Sequence, residues 1–357
     1  MTSYASEQFD SNEEDILRRY FTNLDKPVFA LVNLPEVVKG ALFARYSRSS
    51  KSLRRLFLDE FVGELDISGD ETIDATVGLK RAEELYDLVF FEYGDDSVAQ
   101  LGGVHLACEQ ASNLLTKVLE WGRLMSYLEQ STRYISYNTR LDGRYRYYRD
   151  PEVMASPLAA RYVADMDYLF DSYSDLVERM REYFINSVPK TDSDSDFAYL
   201  QAIKAKALDS VRGVLPAASL SNVGIYGSGQ AYEALLLRMR SHPLPEAREY
   251  AEMILLELRK VIPSFLKRVD IADRGQQTSD YMSDTRDRLI DLSEHYFPKT
   301  NSPLPHPTVD LTDYDPDAEV KLVAAALYPH TDRSDRDVED RVRRMTIEER
   351  INVLKAL

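Results

Sequence analysis

One cysteine, Cys108, is all that the 357 residues carry. That excludes an internal disulfide framework and any cysteine-based zinc site. Histidine is nearly as scarce, and His105, His242, His295, His306 and His330 follow no metal-ligand spacing, so no metal is expected. Positive charge is in deficit: 44 Lys and Arg against 60 Asp and Glu leave a formal net charge of -16. Recognition of a nucleic-acid duplex needs a basic stripe, so no duplex partner is expected. A pocket for a single nucleotide is still open to such a chain, because a few inward-facing arginines can hold one phosphate inside an acidic protein. No apolar run approaches bilayer length, and the opening MTSYASEQFDSNEED lacks the basic and apolar regions of a signal peptide. The expectation is a cytoplasmic protein without membrane contact.

What is present is globular material, 44% hydrophobic and 10% aromatic, enough for one large domain or two ordinary ones. Residues 1–26 read as a polar lead-in with a short helix at EEDILRRYF. VFALVNL then reads as a buried strand, and PEVVKGALFARYSR as a helix with Pro35 in its first turn. Further helices are predicted over SLRRLFLDEFVGEL and KRAEELYDLVFFEYG. From Ser97 to about Gln130, apolar or small residues at Leu101, Val104, Cys108, Ala111, Leu115, Val118, Gly122 and Met125 recur in steps of three and four, which predicts a long central helix. Cys108 lies in that stripe and reads as core packing. The Tyr-rich run 134–149 predicts a strand or extended loop turning at Asp142-Gly143. Helices are expected over 156–187, 197–213 and 229–268, with LPAASLSNVGIYGSGQ as a turn-rich connection between the last two.

Residues 269–308 are rich in Asp, Arg, Ser and Pro and read as a linker. Beyond it, a strand, a proline and an amphipathic helix ending near Tyr328 echo the segment from Val28 to Tyr46. That echo suggests the start of a second similar module over 309–357, with coincidence between two ordinary strand–helix units as the alternative.

Residues 121–134 read W-G-R-L-M-S-Y-L-E-Q-S-T-R-Y. The pattern resembles the signature R-H-R-x-x-S-x-N-E-x-S-x-R-Y of flavin-dependent thymidylate synthases. Arg123, Ser126, Glu129, Ser131, Arg133 and Tyr134 match in register; Trp121, Gly122 and Leu128 depart. Upstream, YGDDSVAQ resembles the family's H-x-[ST]-x-x-E-H element, with Ser97 at the hydroxyl position, Asp95 in place of His and Gln100 in place of Glu. Downstream, LLLRMRSHPLPEAREYA resembles the helix L-x-L-R-x-x-x-x-A-Q-x-E-I-R. Arg238, Glu246 and Arg248 match there, and Pro243 and Leu244 replace Ala and Gln. The likeness covers residues 27–268.

The resemblance implies a mixed α/β, helix-rich domain with a long central helix, assembled as a homotetramer with FAD at its subunit interfaces. The implied reaction converts dUMP to dTMP with methylenetetrahydrofolate and NADPH-reduced flavin. It places Arg238, Glu129 and Ser131 in catalysis, Arg123, Ser97, Gln100 and Trp121 at the cofactor, and Arg133, Ser126, Ser131, Tyr134 and Arg238 at the nucleotide. Arginines suit this chemistry because a guanidinium binds phosphate in a bidentate fork. Trp121 and Gly122 stand where an Arg and a His contact flavin in the family, so a second expectation is a catalytically silent scaffold or regulatory nucleotide-binding subunit. Without the family pattern, Arg123, Glu129 and Arg133 read as an ion-pair network.

Overall fold

The computed structural model describes residues 4, 7–34, 39, 42–43, 46–47, 49–60, 103–191, 194–297, 309 and 311–357. They form two compact units, residues 1–295 and 296–357. In the first, α1 (Ser11–Leu17), β1 (Val28–Leu31) and α2 (Leu53–Glu60) precede β2 (Gly103–Ser112), α3 (Asn113–Leu119) and β3 (Met125–Glu129). The helices α4 (Ala159–Ser187) and α5 (Asp196–Val211) follow, then β4 (Leu220–Ser228), α6 (Gly229–Arg240), α7 (Pro245–Leu258) and α8 (Gln277–Tyr296). The mixed, helix-rich fold class is as expected.

All strands pair antiparallel, in the order β1-β2-β4-β3. Both faces of the sheet are covered. Val28, Leu106, Cys108, Val223 and Ile225 pack toward α3, α6 and α7, while Phe29, Leu31 and Ala107 pack with Leu17, Leu53 and Phe57. Tyr232 ties the centre together, its hydroxyl donating to the Val104 carbonyl at 3.0 Å. A third cluster joins Phe170, Tyr173, Leu208 and Val211 of the α4–α5 pair to Tyr137, Tyr145 and Tyr147.

The predicted helix over 97–130 is replaced by strand, short helix and strand over 103–129. Burial explains the difference: β2 sits between β1 and β4 with both faces covered, so its apolar residues run on without the alternation that marks a half-exposed strand. The expected turn-rich connection holds β4. Its glycines serve close packing: a Cβ at Gly224 would stand 2.3 Å from Cδ1 of Phe43, and one at Gly227 would stand 2.5 Å from Cε of Met125. The loop at 134–149 is extended as expected, and Asp142 (φ 50°) and Gly143 (φ 72°) form its turn. Positive φ at both central residues is the type I′ geometry that Asp-Gly favours.

Residues 269–296, read as linker, carry the π-turn Ala272–Gln276 and the 20-residue α8. Only Ser279 of α8 is buried, so the helix leaves little apolar periodicity to read. The second unit has α9 (Ala318–Leu327), α10 (Asp335–Arg343) and α11 (Ile347–Leu354) around Val323, Ala324, Val338 and Val342. Among its described residues no strand precedes α9, and residues 308 and 310 of the strand predicted to echo β1 lie outside them. The helix expected at 80–94 lies outside the described residues, as do Asp95, Ser97 and Gln100.

Candidate functional site

The segment 121–134 is a turn, the edge strand β3 and a second turn, not a helix surface. Ser112 caps α3 by accepting from the Leu115 amide at 3.1 Å, and α3 leads into the first turn. There the Tyr127 hydroxyl donates to the Gly122 carbonyl at 2.8 Å. A Cβ at 122 would meet that hydroxyl at 2.7 Å, a local reason for glycine where the family pattern has His. Trp121 is 74% exposed and Arg123 is exposed beside it.

On β3 the pleat sets Ser126 and Leu128 on one face and Met125, Tyr127 and Glu129 on the other. Ser126 is exposed, whereas Glu129 is held by Lys117 at 2.9 Å. Burial pulls the Lys117 ammonium down, yet Glu129 and Glu120 outweigh it and hold it above its ordinary value. Past the strand, the buried Gln130 donates to the Ser49 carbonyl at 2.8 Å. Ser131 accepts on its carbonyl from the Tyr134 and Ile135 amides, closing a turn that presents Arg133 and Tyr134 outward. These two line a cleft of about 220 Å³ with Gln201 and Lys204 of α5, and Tyr134 borders another of about 470 Å³.

Arg238 lies elsewhere. On α6 it is half-buried and donates to the Val118 carbonyl at 3.3 Å, with no partner on its Nε. Burial lowers its affinity for the proton and the Tyr127 phenol partly restores it. Arg238 therefore supports the α3 end of the segment, and among the described residues no hydrogen bond or ion pair joins it to Ser131 or Arg133. With a strand rise of about 3.3 Å per residue, the four steps of β3 separate Met125 from Glu129 by roughly 13 Å, with the Trp121–Arg123 turn before the strand and the Ser131–Arg133 turn after it. Trp121, Arg123, Ser126, Ser131, Arg133 and Tyr134 thus follow one another along a sheet edge, Arg238 does not join them, and Ser97 and Gln100 lie outside the described residues.

Sequence reasoning missed Lys117, Gln130, Lys204 and a cleft of about 880 Å³ bordered by Arg54, Glu109, Gln110, Gln130 and Asn222. These residues come from distant segments, and no local spacing announces them. Arg248, matched from the family helix, is exposed and spends its guanidinium on the His242 and Pro243 carbonyls. Glu246 is 1% exposed and accepts from the Ser112 amide at 2.8 Å and the Ser112 hydroxyl at 2.5 Å.

Burial pushes the Glu246 carboxyl up to about 7 from an ordinary 4.5, against the Ser112 hydrogen bonds that favour its charged form. The folded state therefore binds this proton more tightly than the unfolded chain. The resulting stability is complete below the unfolded value and is lost as pH rises through the folded one. Relative to Glu246→Gln, the natural protein is expected to lose about 3 kcal/mol of unfolding free energy between pH 4.5 and 8. Urea titrations of both proteins at the two pH values measure this, and parallel pH dependences would refute it.

A family model described as thymidylate synthase complementing protein matches residues 41–264. A UPF0159 protein of Chlamydia muridarum is 40% identical over 352 residues, spanning 98% of this chain and 66% of the relative. One from Chlamydia pneumoniae is 39% identical over 355 residues, again 66% of the relative. A UPF0159 protein of Thermoplasma acidophilum is 30% identical over 266 residues, 68% of this chain and 50% of the relative. The chain thus spans just under two thirds of the length of the chlamydial relatives. Among solved structures, a UMP/dUMP methylase from Streptomyces cacaoi bound with 5-Br UMP aligns at 16% identity with a TM-score of 0.35, covering 52% of this chain and 81% of that one.

Proposed function

The chain belongs to the thymidylate synthase complementing protein family, and from that premise we propose that it binds dUMP or a close relative and methylates the uracil ring. The observation that supports this most directly is the line of polar side chains along the β3 edge. Arg133, Ser131 and Tyr134 would hold the nucleotide: Arg133 is exposed and enters no ion pair among the described residues, so its fork is available to a phosphate. Glu129 would accept from a ribose hydroxyl while sharing its charge with Lys117. Arg238, under the strand, supplies fixed positive charge behind Tyr127 and would favour a developing pyrimidine anion.

FAD is the cofactor the family implies, and the other end of the line fits its chemistry. Trp121 offers an exposed indole face and Arg123 a guanidinium without an ion-pair partner among the described residues, suited to a flavin ring and a phosphate. Ser126 adds a hydroxyl between the two ends, and Ser97 and Gln100 would complete the set from outside the described residues. When bound and reduced by NADPH, the flavin supplies the reducing equivalents that turn the methylene of methylenetetrahydrofolate into a methyl group. Assembly as a homotetramer would close the open side of β3.

The test is a visible spectrum of purified protein with FAD, before and after dUMP, together with a dUMP titration of one variant. Flavin peaks that shift on adding dUMP are expected, and Arg133→Ala is expected to weaken dUMP about tenfold to a hundredfold through loss of a charge-assisted contact. Colourless protein indifferent to both ligands would remove the proposal. The departures at Trp121, Gly122 and Leu128 favour one second reading, a silent nucleotide-binding subunit. Normal dUMP binding without dUMP-dependent NADPH oxidation would select it.

A further inference from the structure

The run LDGRYRYYR, residues 141–149, belongs to no part of the β3 line, yet it concentrates positive charge in one place. Arg144, Arg146 and Arg149 border a cleft of about 300 Å³ together with Tyr145, Tyr147 and Gln110, and Asp142 is its one carboxylate. None of the residues from 121 to 134 lines it. Among the described residues none of these three arginines makes an ion pair.

Arg146 is the most informative. Its Nη2 donates to the Ser136 carbonyl at 2.6 Å, its guanidinium lies 4.4 Å from the Tyr137 ring centre, and its buried Nε has no partner. Its electrostatic neighbours are the phenols of Tyr137 and Tyr173, and burial lowers its affinity for the proton. A largely buried cation without an anion costs several kcal/mol. Arg149 is held in place by the Tyr145 and Tyr147 carbonyls and stands 3.9 Å from the Tyr147 ring centre. The carbonyls and rings fix these two guanidiniums without neutralising them.

The backbone opposite is strained as well. Gln110, at the irregularity of β2 between Cys108 and Ala111, takes φ of 57°, and its amide donates to Oδ1 of Asn222 at 2.9 Å. A left-handed conformation at a non-glycine residue costs about 1–2 kcal/mol and tends to persist where a site requires it.

We propose that this cleft is a second anion site, separate from the β3 line, which takes a phosphate-bearing ligand. The guanidiniums of Arg144, Arg146 and Arg149 bind the phosphates, and the Tyr147 ring, buried in the third core cluster, holds Arg149. A diphosphate group has the matching charge.

Calorimetric titration of the full chain with ADP, pyrophosphate and adenosine, without magnesium, tests the proposal. ADP and pyrophosphate are expected to bind and adenosine is not, and Arg144→Gln and Arg146→Gln are each expected to weaken both at least tenfold. Arg133→Ala should leave ADP binding unchanged. Arg144 is exposed, so its variant decides the matter even where loss of Arg146 impairs folding. Absence of pyrophosphate binding, binding of adenosine as tight as that of ADP, undiminished binding by Arg144→Gln, or loss of binding in Arg133→Ala would each overturn the assignment.

Discussion

Replacing Glu109 with alanine is expected to cost about 3–5 kcal/mol of folding stability, because it strips a buried charged network of its acceptor. Glu109 is 5% exposed, and its Oε1 accepts from the Tyr46 hydroxyl at 3.0 Å and the Leu53 amide at 2.9 Å. Burial pushes its carboxyl up, and the Arg54 guanidinium and these two donors pull it back. Arg54 is itself 4% exposed, fixed by the Asn23 and Lys26 carbonyls and stacked 3.8 Å from the centre of Phe29. Alanine at 109 would leave a phenol and an amide without their acceptor, and the Arg54 guanidinium without its counter-charge, in the core that joins the N-terminal segment to β2. Glu109→Gln keeps one acceptor oxygen and should lose about half as much or less. Urea denaturation at pH 7 separates the two variants, and a loss below about 1 kcal/mol for the alanine variant would contradict the network's importance.

A single added methyl at Gly224 is expected to be nearly as damaging. Its Cβ would stand 2.3 Å from Cδ1 and 2.4 Å from Cε1 of Phe43. The ring has little room to retreat, since it stacks on His105 with centroids 5.8 Å apart and meets Tyr46 edge-on at 6.2 Å. Overpacking of this kind costs about 1–3 kcal/mol, and Gly224→Ala should sit at the upper end, with Gly224→Val beyond it. Thermal unfolding should show both shifts, while an alanine variant as stable as the natural protein would mean that Phe43 has another place to go.

These two positions also show where the sequence could be read and where it could not. Helices with one buried stripe, such as Ala159–Ser187, and the strand Val28–Leu31 were legible because local pattern and tertiary burial agree. So was the Asp142-Gly143 turn, whose backbone demand is met by those two residues alone. Strand β2 was not legible, because a strand covered on both faces shows no alternation and its small residues imitate a helix stripe. Nor was β4, where Gly224 and Gly227 look like turn residues until Phe43 and Met125 are seen against them. The candidate site divides in the same way. The order of Arg123, Ser126, Glu129, Ser131 and Arg133 could be read directly, since one strand and its two turns carry them. That Glu129 faces Lys117, that Lys204 joins Arg133 and that Arg238 lies under Tyr127 depend on contacts between segments far apart in the chain.

The strand order has a consequence for the birth of the molecule. Cys108 on β2 pairs with Val28 on one side and with Val223 on the other, so one flank of the central strand waits for a partner made more than a hundred residues later. At a synthesis rate of roughly 5–20 residues per second, that wait lasts about 5–20 s on the ribosome. Throughout it β2 has an unfilled hydrogen-bonding edge and two apolar faces, the condition under which nascent chains associate with one another or engage chaperones. Non-local pairing of this kind also makes folding slow. Yield during expression should therefore respond to temperature and chaperone supply more strongly than the stability of the finished protein does.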